Sequence, residues 1–297
     1  MIAMHVLSIP RRLFGWANTI FLSLVSLLCI LPLLHVLAIS FSSSAAATAG
    51  YVTLWPIDFT LSSYEYAFAK PEFIRSFLVS IQRVVLGAVV NMFLTIIVAY
   101  PLSKEVRQFR WRSVYAWFFV MTILFSGGLI PTFMVIKQLG LLDSMMALIL
   151  PGAVPVFNVI LLLNFIRSQP KELFEAAHVD GAGHWAVLWR VVVPLAKPAL
   201  ATLLLFSCVG HWNAWFDGLI YMNSPTGYPL QTYLQTVVIN RDPSLMTTME
   251  ELKQLSQISD QTAKAAQIFL ASFPILVLYP FLQKHFIQGI TLGSVKE

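Results

Sequence analysis

Residues 171–194 read KELFEAAHVDGAGHWAVLWRVVVP, a polar interruption in a chain otherwise close to hydrocarbon in character. Pro170 and Gly181 bracket a first short helix. Proline suits the first helical turn because its missing N–H would be unpaired there anyway, and glycine suits the left-handed exit. A second short helix is predicted from His184 to Val193, with Pro194 stopping it. Two helices folded back on each other make a compact knob on one side of a membrane.

The rest of the composition supplies that membrane. Of 297 residues, 58% are hydrophobic and 11% charged, with a mean hydropathy of +0.75, far from a soluble domain. A span needs about 20 apolar residues, and six runs qualify. They cover Leu13–Ile39, Ile74–Leu102, Ser113–Ile136 with a break at Gly127-Gly128 and Pro131, Ser144–Ile166 with Pro151 and Pro155, Pro198–Met222, and Ala263–Phe281. The first run is longer than the 7–15 apolar residues of a signal peptide, so it reads as a retained helix. The segments between are external loops at 41–73 and 223–263, a basic turn at 104–112, the 167–197 loop and a tail at 283–297. Cys29 and Cys208 each fall inside a span. They exclude a disulfide framework and read as small buried side chains.

Charge distribution orients the spans. With the N-terminus inside, the cytoplasmic segments hold Arg11, Arg12, Lys104, Arg107, Arg110, Arg112, Arg167, Lys171, Arg190, Lys197, Lys284 and Lys296. Half as many basic residues (Lys70, Arg75, Lys137, Arg241, Lys253, Lys264) lie outside. That is the positive-inside pattern. It places the 167–197 loop and both termini in the cytoplasm, and it accounts for the net charge of +5 without nucleic acid. Only helices or a closed barrel satisfy the backbone in lipid. The runs are too long and evenly apolar for barrel strands, so the fold class is all-α integral membrane, one six-helix domain over residues 1–297.

No chemistry of bond-making is visible. No G-x-x-x-x-G-K-[ST] phosphate loop occurs, and no His or Cys pair has a metal spacing. His178 with Asp180, and His211 with Asp217, lack a serine or cysteine nucleophile beside them. No catalytic residue, metal or cofactor is expected on this chain.

Glu175-Ala176-Ala177, three residues, Gly181, nine residues, then Val191-x-Val193-Pro194 resembles, spacing for spacing, the EAA signature of membrane subunits of binding-protein-dependent ABC importers. Valines stand where isoleucine and leucine are commoner. The resemblance extends over most of the chain: six spans, the Gly127-Gly128-Leu129-Ile130-Pro131 break, Trp212-Asn213-Ala214-Trp215, and the tail from Gly289 to Lys296 are similar to the sugar-importer branch. Within it the chain is most similar to permeases for complex oligosaccharides, the second membrane subunit of alginate importers among them. The resemblance implies a bacterial inner-membrane permease acting by alternating access. Its partners would be a second and different permease chain, an ATPase dimer holding ATP and magnesium, and a periplasmic or surface solute-binding protein. It also assigns Phe174, Glu175, Ala176, Ala177, Asp180, Gly181 and Pro194 to coupling with the ATPase. Small alanines allow close approach, Phe174 would fill an apolar hole on the partner, Glu175 would meet its cations, and Gly181 makes the turn.

Polar residues in the spans form a second group, since charge at membrane depth lines a water-filled path or an interface. Candidates for a sugar path are Arg83, Asn91, Asn158, His211, Trp212, Asn213, Trp215 and Asp217, with Asn164 also in a span. In a continuous helix residues 211 and 215 share one face and 213 and 217 another, so not all would face one cavity. The alternatives stay open: Trp212 and Trp215 as an interfacial aromatic belt, Asp217 paired with a neighbouring helix, and Arg83 meeting either an anionic sugar or a partner subunit. In the 223–263 loop, Tyr228, Leu230, Gln231, Tyr233 and Gln235 are candidates for binding-protein contact, and Glu250, Glu251 and Asp260 for a solvated face. A self-sufficient secondary transporter is the competing class. It would need an internal repeat and a mid-membrane coupling carboxylate, for which Asp217 is the sole acidic residue in any span.

Glu175→Lys or Gly181→Trp should leave the chain inserted while uncoupling ATP hydrolysis from uptake; normal uptake by the Gly181→Trp variant would overturn the coupling role.

Overall fold

The computed structural model describes residues 9–239 and 259–294, and every regular element among them is helical. Among these residues three helices are long and apolar enough to cross a membrane, Leu13–Ser40, Pro71–Ser103 and Gln261–Leu278. Three further helix pairs, each bent at a short break, bring the candidate spans to six. The chain divides into two compact units, residues 1–70 with 241–272, and 71–240 with 273–297.

The first unit holds α1 (Ile9–Ser40), α2 (Ser44–Thr48), α3 (Ser62–Ala69) and the opening of the last helix, α15 (Asp260–Ser294). Most large apolar side chains of α1 from Leu13 to Leu34 are exposed, which suits a helix whose solvent is lipid. Cys29 is exposed with them, and is not the side chain buried within the chain that was expected. Serines pin the end of α1. Ser42 Oγ donates to Ala38 O and accepts the Ile57 N–H at 3.0 Å, Ser43 Oγ caps α2 through the Ala46 N–H, and Ser44 Oγ accepts the Ser259 N–H at 2.7 Å. Around them Ala38, Ile39, Ala46, Ala47, Val52 and Ala265 form a small core.

The second unit is built on α4 (Pro71–Ser103), which packs chiefly on α8 (Val156–Arg167) and α12 (Lys197–Asn213). The main core joins Ile96, Ala99, Tyr100 and Leu102 of α4 to Val159, Leu162, Leu163 and Ile166 of α8, and both to Ala196 and Leu203. It also takes in Val187, Leu188 and Val192 of the 184–195 segment. Ala99 and Ala196 are small and buried, as close helix approach in membranes requires.

The breaks differ from the sequence expectation in kind. The third run is α5 (Arg112–Leu124) and α6 (Leu129–Gln138), turned through 113° around Gly128 at φ +83°. The fourth is α7 (Met145–Ile149), a 3-10 turn at Leu150–Gly152 holding Pro151, and α8, with a 47° bend before Val156. Pro194 does not stop the second short helix. Its chain runs through α10 (His184–Val187), a π turn (Leu188–Val192) and α11 (Val193–Leu195), and turns by 81° only at Ala196, before α12. A proline ring clashes with the carbonyl four residues back, and the wider π turn just before it supplies room. The fifth run is α12 and α13 (Phe216–Tyr221), separated at Ala214 and Trp215; α14 (Leu230–Tyr233) then leads into a second π turn. The 283–297 tail is helical as far as Ser294, continuing α15.

Leu162 is 1% exposed and its neighbour Leu161 37%. Leu162→Ala should cost about 2–5 kcal/mol and lower Tm in thermal denaturation, and Leu161→Ala much less; the reverse order would overturn this core.

Candidate functional site

The site starts from the gap between α12 and α13. Ala214 is extended, at φ −71° and ψ 127°, so the helix stops at Asn213 and restarts at Phe216. The i,i+4 pairing of 211 with 215 and 213 with 217 expected from a continuous helix therefore does not exist. A freed carbonyl in a membrane must find a donor, and a side chain from elsewhere supplies it: Arg83 Nη1 donates to Ala214 O at 3.2 Å. Thr232 Oγ1 adds a second bond, at 2.7 Å, to Trp215 O, which also accepts the Leu219 N–H at 3.2 Å. Gly218 lets α13 lie against Thr232; a Cβ there would sit 3.1 Å from the Thr232 Cβ.

The same guanidinium holds Asp217. Arg83 Nη1 donates to Asp217 Oδ1 at 3.1 Å and Nη2 to Oδ2, a two-pronged ion pair. Arg83 is 2% exposed, and its Nε has no hydrogen-bond partner. Asp217 thus pairs with a neighbouring helix of this chain, one of the two roles left open for it.

A second gap, between α7 and α8, is closed the same way. Asn91 Nδ2 donates to Gly152 O at 2.8 Å and Ala153 O at 3.0 Å. Its Oδ1 is left as the acceptor for His211 Nε2 at 2.8 Å, so that nitrogen carries the proton. The imidazole crosses α4 at Gly87, where a Cβ would meet ring carbon Cδ2 at 2.6 Å.

These groups surround one cavity of about 380 Å³, lined by Arg83, Asn91, Asn158, His211 and Asp217 together with Phe206, Ser207 and Tyr221. Asn158 Nδ2 donates to Ser207 Oγ at 3.4 Å. The pocket is lined by two amides, an imidazole, a guanidinium–carboxylate pair and two aromatic rings, groups of the kinds that hold sugars by hydroxyl hydrogen bonds and ring stacking. Five of the eight sequence candidates meet here. Trp212 does not: it is buried edge-on to Phe77, with ring centroids 5.8 Å apart. Asn213 and Trp215 lie on the exposed side. Phe206, Ser207 and Tyr221 were missed. Ser207 shares its face of α12 with His211 four residues on, a signal that was present. Tyr221 had none, because its position depends on the break.

The 171–195 segment is the second feature. α9 (Lys171–Val179) follows Pro170 and ends in a left-handed closure, with Gly181 at φ +78°, the Gly181 N–H on His178 O and the Ala182 N–H on Ala177 O. This is the glycine closure expected. Nothing lies within 4 Å of a Cβ at Gly181, so a substitution there is strained by its backbone and not by a clash. Glu175, Ala176, Asp180 and Pro194 are exposed and Ala177 half-buried. Phe174 points the other way, against the main core. It is a root of the knob and not a plug for a partner's hole; Leu173, Val179 and Trp185 are the exposed apolar side chains instead, Val179 at 87%.

The lysine that opens α9 forms an ion pair with Glu105 of the 104–111 turn. The hydrogen bond from Lys171 and then its charge hold the Glu105 carboxyl below the usual carboxylate range, and the same contacts raise Lys171. Any contribution fades as pH falls through the lowered Glu105 value. Both groups are exposed, so the pair adds little to stability.

In the 223–263 loop, Leu230 and Tyr233 are buried at 0% and 3%, Leu230 donating its N–H to Ser80 Oγ at 2.7 Å and Tyr233 edge-on to Phe73. They are interior anchors, which corrects their reading as contact residues. Tyr228, Gln231 and Gln235 stay half-exposed. Glu250 and Glu251 lie outside the described residues, as does the side chain of Asp260. Among the described residues no His, Cys, Asp and Glu cluster could hold a metal.

A family model described as "Binding-protein-dependent transport system inner membrane component" matches residues 1–292. Protein LplC of Bacillus subtilis is 43% identical over 285 residues, 96% of this chain and 95% of that one. The polygalacturonan/rhamnogalacturonan transport system permease protein YtcP of Bacillus subtilis is 41% identical over 286 residues, 96% of this chain and 99% of that one. A chain in the crystal structure of a bacterial ABC transporter involved in import of the acidic polysaccharide alginate superposes with a TM-score of 0.86 at 33% identity, covering 94% of this chain and 99% of that one.

Gly87→Ala should break the His211–Asn91 bond and cost about 1–3 kcal/mol. His211→Ala in the same chain should remove most of that penalty, and a double-mutant cycle in thermal denaturation checks it; strict additivity would overturn the close approach.

Proposed function

The chain belongs to the family of binding-protein-dependent transport system inner membrane components, and from that premise we propose that it forms half of a translocation pathway for acidic, uronate-rich oligosaccharides. At the coarser level it is the permease subunit of a binding-protein-dependent ABC importer for carbohydrates, multi-pass in the inner membrane and not itself catalytic. Such a system works with an ATPase and a solute-binding protein.

The observation that carries the finer reading is Arg83: a fully buried guanidinium on the wall of a polar cavity, with one N–H unsatisfied. Guanidinium matches carboxylate geometry, as its two-pronged pair with Asp217 illustrates, and in this reading a substrate carboxylate exchanges with Asp217 for it. Two relatives are named for acidic polysaccharides, polygalacturonan/rhamnogalacturonan and alginate. In this reading the partner permease is a different chain, and the 171–195 knob and both termini face the cytoplasm. ATP and magnesium sit on the ATPase dimer there, while the binding protein docks from outside near Tyr228, Gln231 and Gln235.

The mechanism follows from packing. The knob's Val187, Leu188 and Val192 share one core with α4, α8 and α12, so a push on the knob moves the helices that bear the cavity residues as one body. ATP-driven closure would tilt them to open the cavity outward, and hydrolysis would return them inward. A ligand biases such an equilibrium only by its differential affinity for the two states; loaded binding protein and ATP therefore act together. A self-sufficient secondary transporter would couple through Asp217, but that carboxylate is held by Arg83, which speaks against that reading.

Uptake by the whole importer in proteoliposomes tests the reading. Oligogalacturonate or alginate oligosaccharides should be taken up and uncharged maltodextrins should not, and Arg83→Lys should lower uronate uptake about tenfold, the loss of one charge-assisted bond. Equal uptake of both sugar classes would sink the acidic reading; uptake by this chain alone would sink the ABC one.

A further inference from the structure

A second cavity lies where the end of α4, the start of α5, the end of α8 and the helix α9 meet, and it encloses about 590 Å³. That is the size of small-molecule sites, and its wall is strongly basic. Lys104, Arg112, Arg167 and Lys171 line it against Glu105 and Glu175. Glu105 and Lys171 neutralise each other. Three cations then face one carboxylate, which leaves two positive charges uncompensated within the wall.

The cations are held in place by backbone. Arg167 Nη2 donates to Leu102 O at 2.9 Å, capping the carbonyl end of α4, and Arg112 Nη1 donates to Lys104 O at 3.4 Å. The Lys104 ammonium sits 4.4 Å from the ring centre of Tyr100 and 5.7 Å from that of Phe174. Burial lowers its pKa, and among the described residues no carboxylate pairs with it.

Two polar atoms in this wall are buried without a partner, the Tyr100 hydroxyl, on a residue 7% exposed, and Arg112 Nε. A buried donor left unsatisfied costs about 1–3 kcal/mol, and native structures rarely leave one without cause. Both residues line the cavity that carries the charge excess. A tetrahedral phosphate answers it: one negative charge as a diester or up to two as a monoester, and several oxygens to accept from ammonium, guanidinium and phenol.

We propose that this cavity binds a phosphate-bearing anion, its phosphate held by Lys104, Arg112 and the Tyr100 hydroxyl with Arg167 behind, and that the occupied site braces α9 against the membrane helices. Phe174 and Glu175 of α9 line the same cavity, so occupancy ties the 104–112 turn to the knob. The phosphate can belong to a lipid headgroup or to a soluble sugar phosphate.

The test uses the whole importer in nanodiscs, read by hydrogen exchange over residues 100–112 and 167–178. In phosphatidylcholine discs, inorganic phosphate and glucose 6-phosphate are added; in a second arm the discs contain phosphatidylglycerol. Slower exchange with glucose 6-phosphate in neutral discs identifies a soluble ligand, and slower exchange in phosphatidylglycerol discs alone identifies a headgroup. In either case Tyr100→Phe and Arg112→Gln should weaken the response about tenfold, one lost bond to a charged oxygen. Tyr100→Phe removes only the hydroxyl, so it separates ligand binding from folding. No response in either arm, or a response that both variants retain, overturns the proposal. So does a response seen with this chain alone but absent from the assembled importer, because a partner's side chain then fills the cavity.

Discussion

A backbone carbonyl set free inside a bilayer has no water to bond to, and the second unit is organised around meeting that demand twice. The α12–α13 gap frees the carbonyl of Ala214, which Arg83 takes up. The α7–α8 gap leaves the carbonyls of Gly152 and Ala153 to Asn91. Irregular backbone at membrane depth is tolerated only where protein or a wet cavity receives it. Both donors sit on α4, at Arg83 and Asn91, two turns apart. One unbroken helix thus serves as the spine against which two broken ones are held open, and the 380 Å³ cavity is the space between them.

The spine also explains why one chain can carry a pathway at one end and a lever at the other. Near its C-terminal end α4 joins the main core through Ile96, Ala99, Tyr100 and Leu102, and that core includes the root of the 184–195 segment. Phe174 packs against the same core from α9. Close-packed interiors pass displacement on and do not absorb it. The exposed face of the knob, with Glu175, Val179 and Trp185, is then free to meet a partner.

Most of the helical architecture was legible in the residues because hydrocarbon runs are one-dimensional signals. The Pro170–Gly181 helix was legible too, since each end is written in a single residue with one preferred conformation. Pro194 was harder: whether a proline ends a helix or is absorbed by a π turn depends on room in the preceding turn, which spacing does not carry. The candidate site was half legible. Arg83, Asn91, Asn158, His211 and Asp217 stand out as polar groups in apolar spans, and they do converge. The tryptophans stood out for the same reason and face elsewhere. Only the Ala214–Trp215 gap decides which side of the chain enters the cavity, and a gap held by an arginine 131 positions away leaves no local trace. Leu230 and Tyr233 misled for a related reason: an amphipathic run shows that one face is buried, not by whom.

The Arg83–Asp217 pair has an electrical consequence. The inner membrane carries a voltage, and a lone charge at depth feels about 2.3 kcal/mol for each 100 mV it crosses. An unpaired guanidinium in a water-filled cavity would be dragged by that field and would draw chloride in behind it. Bound to its own counter-ion on the next helix, it presents the field with a dipole and no net charge. The most deeply buried charge on the cavity wall is by this arrangement cancelled within the chain itself, so the membrane voltage has little hold on it.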